Sequence, residues 1–209
     1  LKRSFLPSGT ATMTPTEPLP ETLSTPVPEP GNFGINETNL KEEIKRLDAL
    51  AAEGVRFTNF HVNPMCSPTR ASLLTGLNCH NAGMGHIAQD DPGFPGYRAE
   101  IADNVSTAAE IFRAAGYATM MVGKWHLHQP KTDVKPTDRG FQEFYGMLGG
   151  YNSCWDESPF YTRWPKDRTP RAYTSPQNGR PGTFYSTDAF ADYAIDFVAE
   201  ARRAQQPFF

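Results

Sequence analysis

TAAEIFRAAGYATMMVGKWH, residues 107–126, is the stretch that decides the fold class. Thr107 and Glu110 stand at the spacing of a capping box, in which each side chain satisfies a free backbone N–H at a helix start. Ala108, Ile111, Phe112 and Ala115 follow at helical spacing, and Gly116 ends the helix. Tyr117 to Val122 then reads as a strand, with Gly123, Lys124, Trp125 and His126 at its exit. A capped helix that turns through one glycine into a strand is the unit of an α/β protein whose sheet is mainly parallel and flanked by helices.

The flanks extend this pattern. Asn39 and Glu42 predict another capping box, with Leu40, Ile44, Leu47 and Leu50 on one helical face and Gly54 at the left-handed position after it. Val55 to Phe60 alternates apolar and polar, as a strand does. Pro68 is tolerated only in a first helical turn, so Cys66 falls at or just before the N-terminus of a helix that Gly76 closes. Residues 127–183, rich in Pro, Gly and aromatics, read as long surface loops. Ser186 or Thr187 then caps a last helix with Phe190, Ala194, Phe197, Val198 and Ala201 on one face. Pro207 stops it, and Phe208-Phe209 reads as the opening of a further buried strand. Residues 1–38 are a Pro/Thr-rich linker without enough apolar surface to offset chain entropy, leaving 39–209 as the domain.

Composition narrows the function classes. The chain has 209 residues and a formal charge of −3, which lacks the basic excess that nucleic acid demands. Three cysteines, Cys66, Cys79 and Cys154, are too few and too widely spaced for a disulfide scaffold or a CxxC zinc ribbon. No apolar run reaches the roughly 18 residues of a membrane span. Lys2 and Arg3 are not followed by the apolar core of an export signal. A first residue other than Met, and an end in mid-pattern at Phe209, read as part of something longer.

Two clusters carry chemistry. At a helix N-terminus the dipole and free N–H groups favour an anion, so a thiolate at Cys66 would be activated, with Arg70 one turn on to pair with it. Lys124 and His126, two residues apart on extended chain, point to one side, with Trp125 on the other. A cation beside a titratable imidazole suits an anionic substrate, the one neutralising charge and the other moving protons. Taken singly, an inert core thiol, a solvated lysine and a loop histidine are the commoner explanations of these residues. Together they sit at carboxyl ends of predicted strands, where open α/β sheets place their sites.

Cys66-Ser67-Pro68-Thr69-Arg70, continued to Thr75-Gly76, resembles the sulfatase signature C-x-P-x-R-x-x-x-x-T-G in full. Gly116-Tyr117 through Gly123-Lys124-Trp125-His126 resembles the family's second signature, G-Y-x-T-x-x-x-G-K-x-H. Residues 47–60 are similar to the family's lead-in, and 184–190 are a weaker echo of arylsulfatases. Two signatures in order are highly specific.

The resemblance implies a partial N-terminal catalytic domain of alkaline-phosphatase-like architecture that cleaves sulfate esters. Cys66 would be oxidised to formylglycine by a formylglycine-generating enzyme, and the aldehyde would hydrate to a geminal diol. One hydroxyl would attack sulfur and release the alcohol; deprotonation of the other would expel sulfate. Arg70 would steady the formylglycine and the nearby metal site, Lys124 would bind a sulfate oxygen, and His126 would take the proton. Calcium would bind oxygen ligands, the diol at position 66 among them. The family holds its metal with paired aspartates before the lead-in helix, and no Asp-Asp pair precedes Cys66. Asp90-Asp91 comes later, in a solvated Gly/Pro-rich loop.

Two other readings stay open. Relatives that hydrolyse phosphate or phosphonate esters share the first signature, and the chain would alternatively be a non-catalytic remnant. The resemblance implies a small-molecule or glycan sulfate ester as substrate, and no nucleic acid or membrane partner is expected. His80, His86 and His128 take loop or supporting places, and Cys79 and Cys154 are free or buried thiols. Asn36-Glu37-Thr38 and Asn104-Val105-Ser106 match the glycosylation pattern.

Overall fold

The computed structural model describes residues 37–129, 131–156, 161–166 and 184–209. The Pro/Thr-rich segment before residue 37, with Asn36, lies outside them. Four helices and three strands follow in the order α1 (Glu37–Glu53), α2 (Cys66–Thr75), α3 (Ala108–Ala114), β1 (Met120–Lys124), β2 (Glu143–Met147), β3 (Thr162–Trp164) and α4 (Ser186–Arg203). A short 3-10 turn, Pro136–Arg139, leads into β2.

The sheet is ordered β1-β2-β3. β1 and β2 run parallel, in register from Met120 opposite Glu143 to Lys124 opposite Met147, and β3 returns antiparallel. On the other side of β1 the chain end begins a parallel neighbour. Ala118 donates to the Pro207 carbonyl at 2.8 Å, and Phe209 N–H donates back to Ala118 at 2.8 Å. Phe208-Phe209 thus pairs as a strand opening would, but both rings keep substantial exposure.

β2 is the centre of the molecule. Its successive side chains leave on opposite faces. Phe144 joins the core of Ala71, Met84, Ile101, Trp125, Leu127 and Phe141. Tyr145 joins Phe184, Ala189, Tyr193 and Phe197 beneath α4, its ring stacked on Tyr193 at 3.8 Å. A strand covered on both faces does not alternate in polarity. Residues 143–147 and 162–164 are therefore strands where the sequence read as loop, because a five-residue run of Glu, Phe, Tyr, Gly and Met shows neither period.

Several elements differ from the reading at their edges. α1 starts at Glu37, so Asn39 lies within the helix, and Gly54 follows it without the expected positive φ. Val55–Phe60 is no strand; it is irregular and solvent-facing, with no sheet neighbour among the described residues. β1 begins at Met120 rather than Tyr117. Ser186 is the first residue of α4 rather than its cap, and Tyr185 in the cap position makes no side-chain capping bond. The line buried along α4 is Ala189, Tyr193, Phe197 and Ala201; Phe197 and Ala201 belong to the predicted stripe, while Phe190, Ala194 and Val198 are only partly buried.

The Thr107–Glu110 capping box forms with both reciprocal bonds, at 3.1 and 2.8 Å. Its other side is held by Arg139, which pairs with Glu110 at 2.9 Å and donates to the carbonyls of Ile101 and Val105. Gly76 closes α2 at φ 69°, as expected of a left-handed cap. Among the described residues no helix is long and apolar enough to cross a membrane.

Candidate functional site

Cys66 opens α2. The preceding residue, Met65, is extended, and the first turn carries no acidic side chain, so its free N–H groups face an uncompensated end. Cys66 is an exposed free thiol, while Ser67 and Pro68 behind it are buried. Pro68 sits in the first turn, where its missing N–H leaves no gap in the ladder.

β1 brings the second cluster to the same point. The β1–β2 ladder continues past Lys124: Trp125 donates to the Met147 carbonyl at 2.8 Å and His126 to Leu148 at 2.9 Å. Trp125 turns wholly into the core. The next residue, His126, adopts φ 52°, which swings the chain off the strand, and its imidazole is buried against α2. Its Nδ1 lies 3.2 Å from Cys66 Sγ and 3.2 Å from Ser67 Oγ, and its Nε2 lies 2.7 Å from Gln89 Oε1.

The charges follow from this packing. Burial pushes the Cys66 thiol up, but the Lys124 ammonium, by hydrogen bond and charge, and the N–H and hydroxyl of Ser67 together bring it below its ordinary value. Burial first, then the charges of Lys124, Arg70 and His128, hold His126 down to about 4. The imidazole is thus neutral at pH 7, with one ring nitrogen unprotonated.

Arg70 takes a place that spacing alone did not foretell. Its Nε donates to the Trp125 carbonyl at 2.8 Å, and its terminal NH2 donates to the Lys124 carbonyl. It therefore straps α2 to the end of β1 while its charge still faces Cys66. Cys66, Arg70, Lys124 and His126 all meet here, although Cys66 and His126 are 60 residues apart.

The remaining candidates lie elsewhere. His80 bonds Tyr97 at 3.0 Å, His86 approaches Asp90 at 3.3 Å, and His128 is half-buried near Asp133 and Glu100. Cys79 is buried and Cys154 exposed, both free. Asp91 binds Gln129 in an exposed loop, and Asn104 is exposed. Among the described residues no group of three or more His, Cys, Asp or Glu comes together to hold a metal ion. Ser67 and Gln89 are the members of the site that sequence reasoning missed. Ser67 fills a variable position of the first signature, and Gln89 lies in an aperiodic loop.

Residues 19–209 match the Sulfatase family model. The chain belongs to the sulfatase family. It is 34% identical to an arylsulfatase of Klebsiella aerogenes, over 78% of this chain and 35% of that protein. It is 35% identical to an N-acetylgalactosamine-6-sulfatase of Canis lupus familiaris, over 86% of this chain and 35% of the other. This sulfatase-family chain spans about a third of the length of the curated relatives it matches. Among solved structures it is similar to Ps i-CgsB, with a TM-score of 0.61, 25% identity, and coverage of 79% of this chain and 38% of that one. BT4656 in complex with its substrate D-glucosamine-2-N,6-O-disulfate gives a TM-score of 0.52 at 28% identity, over 78% of this chain and 27% of the other. The mixed α/β architecture is accordingly part of the alkaline-phosphatase-like sulfatase fold.

Proposed function

We propose that this site is the nucleophile half of a sulfuric ester hydrolase acting on a small-molecule or glycan sulfate, with residue 66 working as formylglycine after oxidation by a formylglycine-generating enzyme. The observation that carries the reading is the convergence of Cys66, Lys124 and a neutral His126 at the exposed start of α2. As its hydrate, formylglycine supplies a hydroxyl nucleophile for sulfur and a second hydroxyl whose loss of a proton expels sulfate.

The chain's own residues do the rest. Lys124 sets a positive charge beside position 66, where a sulfate oxygen's charge must be held through the transition state. His126 presents Nδ1 to position 66 at hydrogen-bond range and, being neutral, takes the hydroxyl proton. Arg70 fixes the spacing between α2 and β1, so the two groups stay aimed at one point. The family's calcium needs a cage of oxygen ligands, and the described residues do not assemble one, so no step here is routed through a metal.

Matched sulfate and phosphate monoesters of one phenol test the reading in the full-length protein carrying this sequence. A kcat/KM favouring the sulfate is expected, together with a higher KM and lower kcat for Lys124→Ala. Preference for the phosphate ester would instead make it a phosphate-ester hydrolase, and turnover of neither would leave a non-catalytic relative.

A further inference from the structure

We infer that Gln89 is a positioning residue: with Ser67 and the Ala88 N–H it locks the tautomer of His126, keeping the proton on Nε2 and the Nδ1 lone pair toward residue 66. The inference deepens the proposed role of His126 as the base and rests on it.

The chain of bonds ends in a backbone amide on one side and the Gln89 amide oxygen on the other. Ala88 N–H can only donate, and it does so to Ser67 Oγ at 3.2 Å. The Ser67 hydroxyl proton must then point away from Ala88. His126 Nδ1 lies 3.2 Å off, on the same side as Cys66, whose thiol this hydroxyl also serves, so the ring's direction is set at its other end, where Gln89 Oε1 can only accept. In a neutral ring this leaves Nδ1 accepting and puts the proton on Nε2. There Gln89 Oε1 waits at 2.7 Å, with its amide oxygen as the natural acceptor. Each group in the series then meets a partner of the opposite kind, as a buried polar chain requires.

The surroundings are shaped for this pair. Ala88 and Gln89 are consecutive, so a single loop grips both ends of the series. A Cβ on Gly150 would lie 2.9 Å from His126 Nε2 and 3.1 Å from Gln89 Nε2, so the glycine leaves the two side chains their space. The opposite tautomer would aim an N–H at residue 66, a group with no capacity to take its proton.

Three variants of the full-length protein test this: Gln89→Leu, Gln89→Glu and Ser67→Ala. Histidine ¹⁵N NMR, with His126→Asn used to assign the signal, is expected to show a pyrrole-like Nε2 and a pyridine-like Nδ1. Gln89→Leu, similar in size but without an acceptor, is expected to lose that preference and lower kcat about 10–100-fold with little change in KM. Gln89→Glu keeps an acceptor and is expected to restore both; Ser67→Ala is expected to weaken the preference. A packing role would instead favour Leu over Glu. A proton on Nδ1, or full kcat in Gln89→Leu, overturns the inference. The correct tautomer in a protein that turns over no sulfate ester upholds it and sinks the proposed function instead.

Discussion

His126 is asked to be two things at once: buried beside two cations, and able to accept a proton. The packing achieves this by holding it neutral, and neutrality has a measurable consequence. Its ordinary value near 6.5 falls to about 4, burial first and then Lys124, Arg70 and His128. Between those values the unfolded chain binds a proton that the folded imidazole refuses. Stability therefore rises with pH through this window, is complete above about 6.5, and is lost as pH falls toward about 4. With Cys66 kept as the thiol, thermal unfolding from pH 7 to pH 4 is expected to show Tm falling, and His126→Asn to flatten part of that fall. The flattening is partial because burial also lowers His128. An unchanged slope in the variant would mean that His126 is more open to water than its 4% exposure implies.

At the scale of elements, the close approach of β1 and β2 sets where Lys124 and His126 leave the sheet. Gly146 lies against Gly123 of the parallel neighbour, and a Cβ there would overlap the Gly123 carbonyl oxygen. Backbone cannot give way as a flexible side chain can. Gly146→Ala is expected to destabilise the protein by about 1–3 kcal/mol, the usual cost of overpacking, and denaturant unfolding of the variant measures it. The same closeness explains what the sequence left hidden. Thr107-x-x-Glu110 and Gly76 were legible because a cap is a local device and needs only its neighbours. β2 was not, since it is defined by Phe144 and Tyr145 meeting cores on opposite sides, contacts that no local pattern encodes. The reverse error came at Val55–Phe60, where alternation was present but no neighbouring strand pairs with it among the described residues. Pattern alone does not make a strand when the ladder is missing.

Across the whole molecule, the site was more legible than the sheet that carries it. Cys66, Arg70, Lys124 and His126 stand in two dense signatures, and each signature encodes its own local geometry: a helix start, and a strand exit. What the signatures do not encode is the residue at their variable positions or the loop that packs between them, so Ser67 and Gln89 emerged only when the two elements were placed together. Leu40, Ile44, Leu47, Leu50, Phe57 and Phe60 remain exposed along α1 and the segment after it. The proposed function stands on conversion of the cysteine at the start of α2 into the working nucleophile by a formylglycine-generating enzyme. The most direct measurement is mass spectrometry of the tryptic peptide Phe57–Arg70 from full-length protein made together with a formylglycine-generating enzyme. The aldehyde and its hydrate are expected at position 66 and lost in Cys66→Ala. An unmodified thiol, while a control sulfatase is converted in the same cells, would contradict it.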